Sequence, residues 1–139
     1  MSLFSVFNIA GSALSAENVR LNTTASNLAN AQSVSSNEAD TYRARQPVFS
    51  AVLQQQGGTG AKTPGVQVSA IVEDQSQPVR KYSPGHPLAD QEGYIYMPNV
   101  NPVEEMANMI SASRSYQNNV QVMESAKQMM QMTLRLGKS

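Results

Sequence analysis

Histidine is the side chain best suited to moving protons near neutral pH, and this chain has one, His86. It stands in "SPGHPLAD", with Ser83 before it and Asp90 after it. Ser, His and Asp are the parts of a nucleophilic triad, but a triad is a spatial arrangement and closeness in sequence does not make one. Pro84, Gly85 and Pro87 around His86 predict a surface turn instead. The carboxylates Glu73, Asp74, Asp90 and Glu92 have the chemistry for a hard cation, yet they lack the spacing of a calcium loop. "GGTGAKTPG" is not a phosphate loop, because it lacks the four-residue gap before Gly-Lys-Ser/Thr. Met123, Met129, Met130 and Met132 carry thioethers at helical spacing, which reads as adaptable packing rather than metal binding. No cysteine is present, so thiolate catalysis and Cys-based metal sites are excluded. No catalytic, cofactor or metal site is assigned.

The polar groups that need explaining are neutral. "ASNLANAQS" (25–33) ends a helical stretch with Ser26, Asn27 and Asn30, and Asn18, Asn22 and Thr23 lie just upstream. Such side chains compete for backbone hydrogen bonds and are indifferent helix formers. On a helix advancing about 100° per residue, Thr23, Ser26, Asn27 and Asn30 fall opposite Leu28, and Ser12 continues their side. A solvated helix back normally carries Lys, Glu and Arg. A short, uncharged face instead lets another backbone approach closely. Ser12, Thr23, Ser26, Asn27 and Asn30 are therefore expected to form a polar inter-subunit face.

The elements that position these residues follow from periodicity. Residues 3–31 contain no proline, and Phe7, Leu14, Leu21 and Leu28 recur every seven residues, which makes one stripe on a long helix. The second helix opens at "NPVEEM", with Asn101 as N-cap, Pro102 at the first helical position and Glu104 where a capping box places it. Its heptads carry Met106, Ser113, Val120, Lys127 and Leu134 on one line and Met109, Tyr116, Met123 and Met130 on the other, a coiled-coil pattern. Gly137 ends it. The two stripes are expected to pack on each other and to serve assembly.

Six of the seven prolines fall in residues 32–100, and "QQQGGTGAKTPG" (54–65) reads as a flexible tract. "VQVSAIV" (66–72) alternates Val66, Val68, Ala70 and Val72 on one face and predicts a strand, with "PVRKY" (78–82) and "YIYM" (94–97) as plausible partners. The fold class is α+β. Long N- and C-terminal helices, within 1–31 and 101–139, form an antiparallel coiled-coil-like hairpin, and a small, mostly β insertion (32–100) sits at its closed end. Glu17 lies about 20° from the Leu stripe, an expensive place for an isolated charge. With Ala31 level with Asn101, Arg114 is its nearest cross-helix partner and would fix register. A pair with Arg20 within one turn is the open alternative.

Ten basic and ten acidic residues give zero formal charge, and residues 1–31 hold only Glu17 and Arg20. Without clustered Lys and Arg, neither a nucleic-acid grip nor a polybasic membrane patch is expected. The start has no basic n-region and no long apolar core, and no run approaches the ~20 apolar residues of a membrane span. Export, if it occurs, is expected to leave the chain uncut.

These features together resemble the flagellar basal-body rod proteins, most closely the subunits of the proximal rod. The resemblance is carried by "RLNTTASNLANAQS" with its N-x-A-N signature, by "YRARQPVF", "GVQVSAIVED" and "PGHPLADQEGYIYMPNVNP", and by the helix that follows to "LRLG". It implies a non-enzymatic structural subunit whose terminal helices pack into a tubular drive shaft around an export channel. It further implies copies of itself and FlgB, FlgF, FlgG and FliE-like proteins as partners. Passage through the flagellar type III export apparatus without a cleaved signal, and a place in the periplasmic part of the basal body, follow from the same likeness. A cytoplasmic coiled-coil adaptor or export-associated binding protein is the second reading. A small hydrolase around His86 is the third.

Overall fold

The computed structural model describes residues 3–55 and 62–137. Its elements run α1 (Leu3–Asn30), β1 (Arg45–Gln55), β2 (Lys62–Glu73), β3 (Val79–Tyr82), β4 (Tyr94–Met97) and α2 (Pro102–Leu136). The α+β class is as expected, with two long terminal helices flanking a mostly β middle. The helix boundaries fall where the sequence signals put them. Asn101 sits in extended backbone and its side chain accepts from the Val103 N–H at 3.1 Å, satisfying one of the donors a helix start leaves over. Glu104 and Glu105 stand in the first turn, where the helix dipole favours negative charge.

The middle differs from expectation in its pairing. β2 pairs antiparallel with β1, from Arg45 opposite Glu73 to Gln55 opposite Lys62; β1 carries no clean alternation and is not legible as a strand. β3 pairs only with β4, as a separate two-stranded sheet, and Ser35 bridges to Tyr96. Thr63, Pro64 and Gly65, assigned above to the flexible tract, are strand residues, as are Gln54, Gln55 and Lys62; 56–61 lies outside the described residues. The single alternating face of 66–72 is interrupted because the register shifts between Val48 and Phe49. Ser69 is the extra residue of that bulge, and its hydroxyl donates to the Val48 carbonyl at 3.0 Å. One added residue reverses the faces beyond it, so Val66 and Val68 are half-buried while Ala70 and Val72 are exposed.

The hairpin β1–β2 does not cap the closed end of the helices. It folds back along α1, reaching Ser12, whose hydroxyl accepts the Val66 N–H at 3.2 Å. A Cβ on Gly65 would stand 3.3 Å from that hydroxyl, so strand and helix backbones meet at the closest approach a glycine and a serine permit. This explains why α1 carries short neutral residues on that side. At the closed end, Asn99 ties the pieces together. Its Oδ1 accepts from the Ala44 N–H at 2.8 Å, and its Nδ2 donates to the Ser76 hydroxyl at 2.7 Å and the Ser76 carbonyl at 3.1 Å.

Candidate assembly surface

The chemistry-bearing residues of the middle segment build turns. His86 Nδ1 accepts the Leu88 N–H at 3.1 Å, and Asp90 Oδ1 accepts the Glu92 and Tyr94 N–H groups at 2.9 and 2.8 Å. Those backbone donors, Tyr94 first, hold the Asp90 carboxyl below its ordinary range. Gly93, at φ +81, closes the same turn; a Cβ there would meet the Tyr82 ring at 3.0 Å, and that backbone region suits only glycine readily. Arg80 then stacks on the Tyr94 ring at 3.8 Å and bonds Glu92. His86 and Asp90 are each engaged by turn backbone, so the arrangement is structural.

Asn27 is the centre of the α1 face. It is 0% exposed and the largest fully buried side chain among the described residues. Its amide makes a two-point contact with the backbone of Arg45, donating to the carbonyl at 2.8 Å and accepting the N–H at 2.9 Å. Tyr42 Oη donates to the same Oδ1 at 2.9 Å and also lies 3.2 Å from the Ser26 hydroxyl. Thr23 is buried with its hydroxyl on the Val19 carbonyl, and Asn30 donates to the Ser26 carbonyl. Of the face expected to serve neighbours (Ser12, Thr23, Ser26, Asn27 and Asn30), Ser12, Ser26 and Asn27 are engaged by the hairpin and its lead-in within the chain, because an amide and small hydroxyls supply what a strand backbone lacks.

The helix seam shows a second correction. The helices are antiparallel and their level is as expected, since Gly11 faces Met123 and the Asn27 amide lies beside the Glu105 carboxyl. The Leu stripe (Phe7, Leu14, Leu21, Leu28) is half-buried, as are Met109, Tyr116, Val120, Met123 and Met130. On α2, however, the deepest line is Glu105, Ala112 and Ala126, at 7, 0 and 0% exposure, with half-buried Asn119 at the seventh place between the alanines. It lies one residue before the line of large apolar residues. Met106 and Leu134 consequently point outward, 46 and 66% exposed. Helices pack closest where side chains are smallest, and the alanines set the contact.

The same rotation removes the proposed register pair. Arg114 is exposed on the outside of α2, and Glu17 has Arg20 as its nearest cation, at 3.8 Å. Glu17 Oε2 and Glu105 Oε2 are both buried without a hydrogen-bond partner among the described residues. Burial raises the Glu105 carboxyl above its ordinary value of 4.5, against the pull of the neighbouring Asn27 amide and with help from neighbouring Glu104. A raised acid stabilises the fold below its ordinary value and loses that contribution as pH rises through the raised one. Besides Glu104, the charged groups facing it are Arg20 and Arg45 across the cleft they share. Glu105→Gln is expected to be more stable than the parent chain by about 1 kcal/mol at neutral pH, with the difference vanishing below 4.5. Urea unfolding at the two pH values measures it.

What the fold leaves uncovered decides what it can do. Apart from Pro78 and Pro98, the buried apolar residues among those described are six alanines and Ile95. Val103, Met106 and Ile110 form an exposed patch on the back of α2, and Val122, Met129 and Met132 form another along its flank. Phe4, Phe49 and Leu53 are exposed elsewhere. Surface apolar residues grouped in this way mark interaction faces. The patch at Val103 and Ile110 was missed in sequence because those residues sit opposite the assumed seam; once Ala112 is taken as the inner line, the helical period finds them. No helix among the described residues is long and apolar enough to cross a membrane.

Comparison with known proteins fits both helical ends. Residues 7–35 match the family model described as flagella basal body rod protein, and 91–136 match the C-terminal model of the flagellar basal body rod FlgEFG proteins. The chain is 52% identical to the flagellar basal-body rod protein FlgC of Escherichia coli O6:H1 over 137 residues, covering 99% of each chain. It is 50% identical to that of Salmonella typhimurium over 137 residues, again 99% of each. It is 35% identical to that of Bacillus subtilis over 150 residues, covering 99% of this chain and all of the relative.

Proposed function

We propose that this chain, which belongs to the FlgC family of flagellar basal-body rod proteins and is a structural rod subunit rather than an enzyme, builds a tubular proximal rod by packing its terminal helices against those of neighbours. The observation that supports this is the composition of its interior. A long helical pair whose buried apolar residues are almost all alanine keeps its larger apolar side chains for contacts between chains. Met106 and Leu134, together with Val103, Ile110, Val122, Met129 and Met132, supply the apolar part of that surface. Rotation and rise relate the copies in a rod, so each contact joins two different faces, and α2 offers separate patches on its back and flank. The half-buried Leu stripe and Met109, Tyr116, Val120, Met123 and Met130 hold the pair that presents them.

The partners of this reading are copies of the chain and FlgB-, FlgF-, FlgG- and FliE-like subunits, and the site is the periplasmic part of the basal body. The chain would arrive there through the flagellar export apparatus, without a cleaved signal. Isolated helices are marginal without packing, which suits termini that order only on assembly. Fractionation tests the reading. The chain should co-purify with detergent-extracted basal bodies, and Leu21→Asp or Met123→Asp should abolish that and swimming while export of the chain continues. Recovery of the parent chain only in the soluble cytoplasmic fraction would favour the adaptor reading and sink this one.

A further inference from the structure

A cleft of about 460 Å³ opens between α1, the start of β1 and the first turns of α2, with Arg20, Arg45, Pro47, Phe49, Glu104 and Glu105 on its walls. Its charges do not balance. Arg45 is held by Glu73 at 3.1 Å and Arg20 is nearest Glu17, which leaves Glu104 and Glu105 as the surplus. Glu105 is 93% buried by its 7% exposure, and one of its oxygens has no donor. A buried carboxylate oxygen without a partner is costly, and a cationic donor entering the cleft would remove that cost. Phe49, 42% exposed, gives the alkyl part of such a side chain a surface to lie on.

The chain carries the complement. Arg114 is exposed and has no partner among the described residues, at a depression of about 430 Å³ on the outside of α2 that also includes Ala107, Ser111 and Ser115. These small residues allow a neighbouring surface to come close around the guanidinium. Arg114 lies ten residues along α2 from Glu104, about 15 Å at the helical rise, and on a different side of the helix. Copies placed side by side with a modest stagger bring one to the other. Lys127 and Arg135, the other basic residues of α2 among those described, lie roughly 35 and 45 Å away, too far for neighbours at similar height.

We propose that this cleft receives the Arg114 guanidinium of a second copy of the chain, which pairs with Glu104 and Glu105 and sets the stagger between side-by-side subunits. The inference rests on the rod reading and adds the contact by which two copies recognise each other. It makes the buried, half-satisfied Glu105 a feature kept for assembly at the expense of the monomer.

The test uses the full chain, carrying Glu104→Cys and Arg114→Cys together, in cells lacking their own copy. The parent chain has no cysteine, so any disulfide is the engineered one. Within one chain the two positions are farther apart than the ~7 Å between Cα atoms that a disulfide spans. Purified basal bodies should show disulfide-linked dimers or longer ladders with the pair and with neither single variant. If the paired variant is present in basal bodies only as monomer, the contact is wrong, while the parent chain's presence there leaves the rod reading intact. Should the paired variant be excluded from basal bodies, charge exchange decides. Glu104→Arg and Arg114→Glu should each lower incorporation on the order of tenfold, and the double exchange should restore it; no restoration overturns the proposal.

Discussion

Asn27→Ala should destabilise the chain by about 2–4 kcal/mol and release the β1–β2 hairpin from α1. The estimate comes from what alanine leaves behind. Asn27 satisfies the Arg45 N–H and carbonyl and accepts from Tyr42 Oη, and it lies beside the Glu105 carboxyl. Truncation orphans several of these groups at once in a place where water enters poorly, and each buried orphan costs about 1–3 kcal/mol. A domain stable by about 5–15 kcal/mol loses a large part of its margin. Asn27→Asp separates shape from donor chemistry. It keeps the acceptor for Arg45 N–H and Tyr42, but loses the donor to the Arg45 carbonyl and places a second carboxylate against Glu105. It should therefore be no better than alanine at neutral pH and should recover part of the loss in acid. Urea midpoints at both pH values, with amide exchange across residues 45–52 and 64–73, would show whether the hairpin has come free. Parent-like protection of those amides in Asn27→Ala would mean that the two-point contact is incidental.

How much of this was legible in the sequence depends on the kind of signal. The helices were, because heptad spacing, Asn101-Pro102 and Gly137 are local, and the chain obeys them. The unusual face of α1 was visible as well, since neutral short residues there violate the ordinary composition of a helix back. Its partner was not. β1 has Pro47 near its start and the pair Val48-Phe49 at a bulge, so it shows neither alternation nor a continuous apolar run, and a strand that is stabilised by docking on a helix need show neither. With no strand to assign, the small face looked like a surface for another chain. Glu105 gave no warning either, because a glutamate in the first turn of a helix is ordinary; only the approach of Asn27 makes it unusual. The heptad of α2 misled for a physical reason. Large apolar residues mark where burial is available, but alanines mark where helices touch, and in this chain the two lines are one residue apart.

That distinction has its own consequence, which hydrophobicity alone would predict with the wrong sign. Ala112→Leu adds apolar surface to the most deeply buried line of α2, and a transfer argument would call it stabilising by about 2 kcal/mol. Packing argues the reverse. Ala112 is 0% exposed, so the added methyl groups have no solvent-facing route, and α2 must move away from α1 or its neighbours must leave their rotamers, at a cost of about 1–3 kcal/mol. Separation of the helices also disturbs the Asn27–Glu105 contact two turns away. Ser111→Leu is the control: Ser111 is exposed on the outer side, so the same side chain there should leave the unfolding midpoint within about 0.5 kcal/mol of the parent. If Ala112→Leu unfolds at a higher denaturant concentration than the parent, the seam is loose and the alanine line does not set the helix spacing. If it unfolds earlier while Ser111→Leu does not, close approach at Ala112 is what holds the pair, and the outer faces of α2 are presented at a fixed distance from α1. A rod subunit needs that constancy, because every copy must offer its neighbour the same surface.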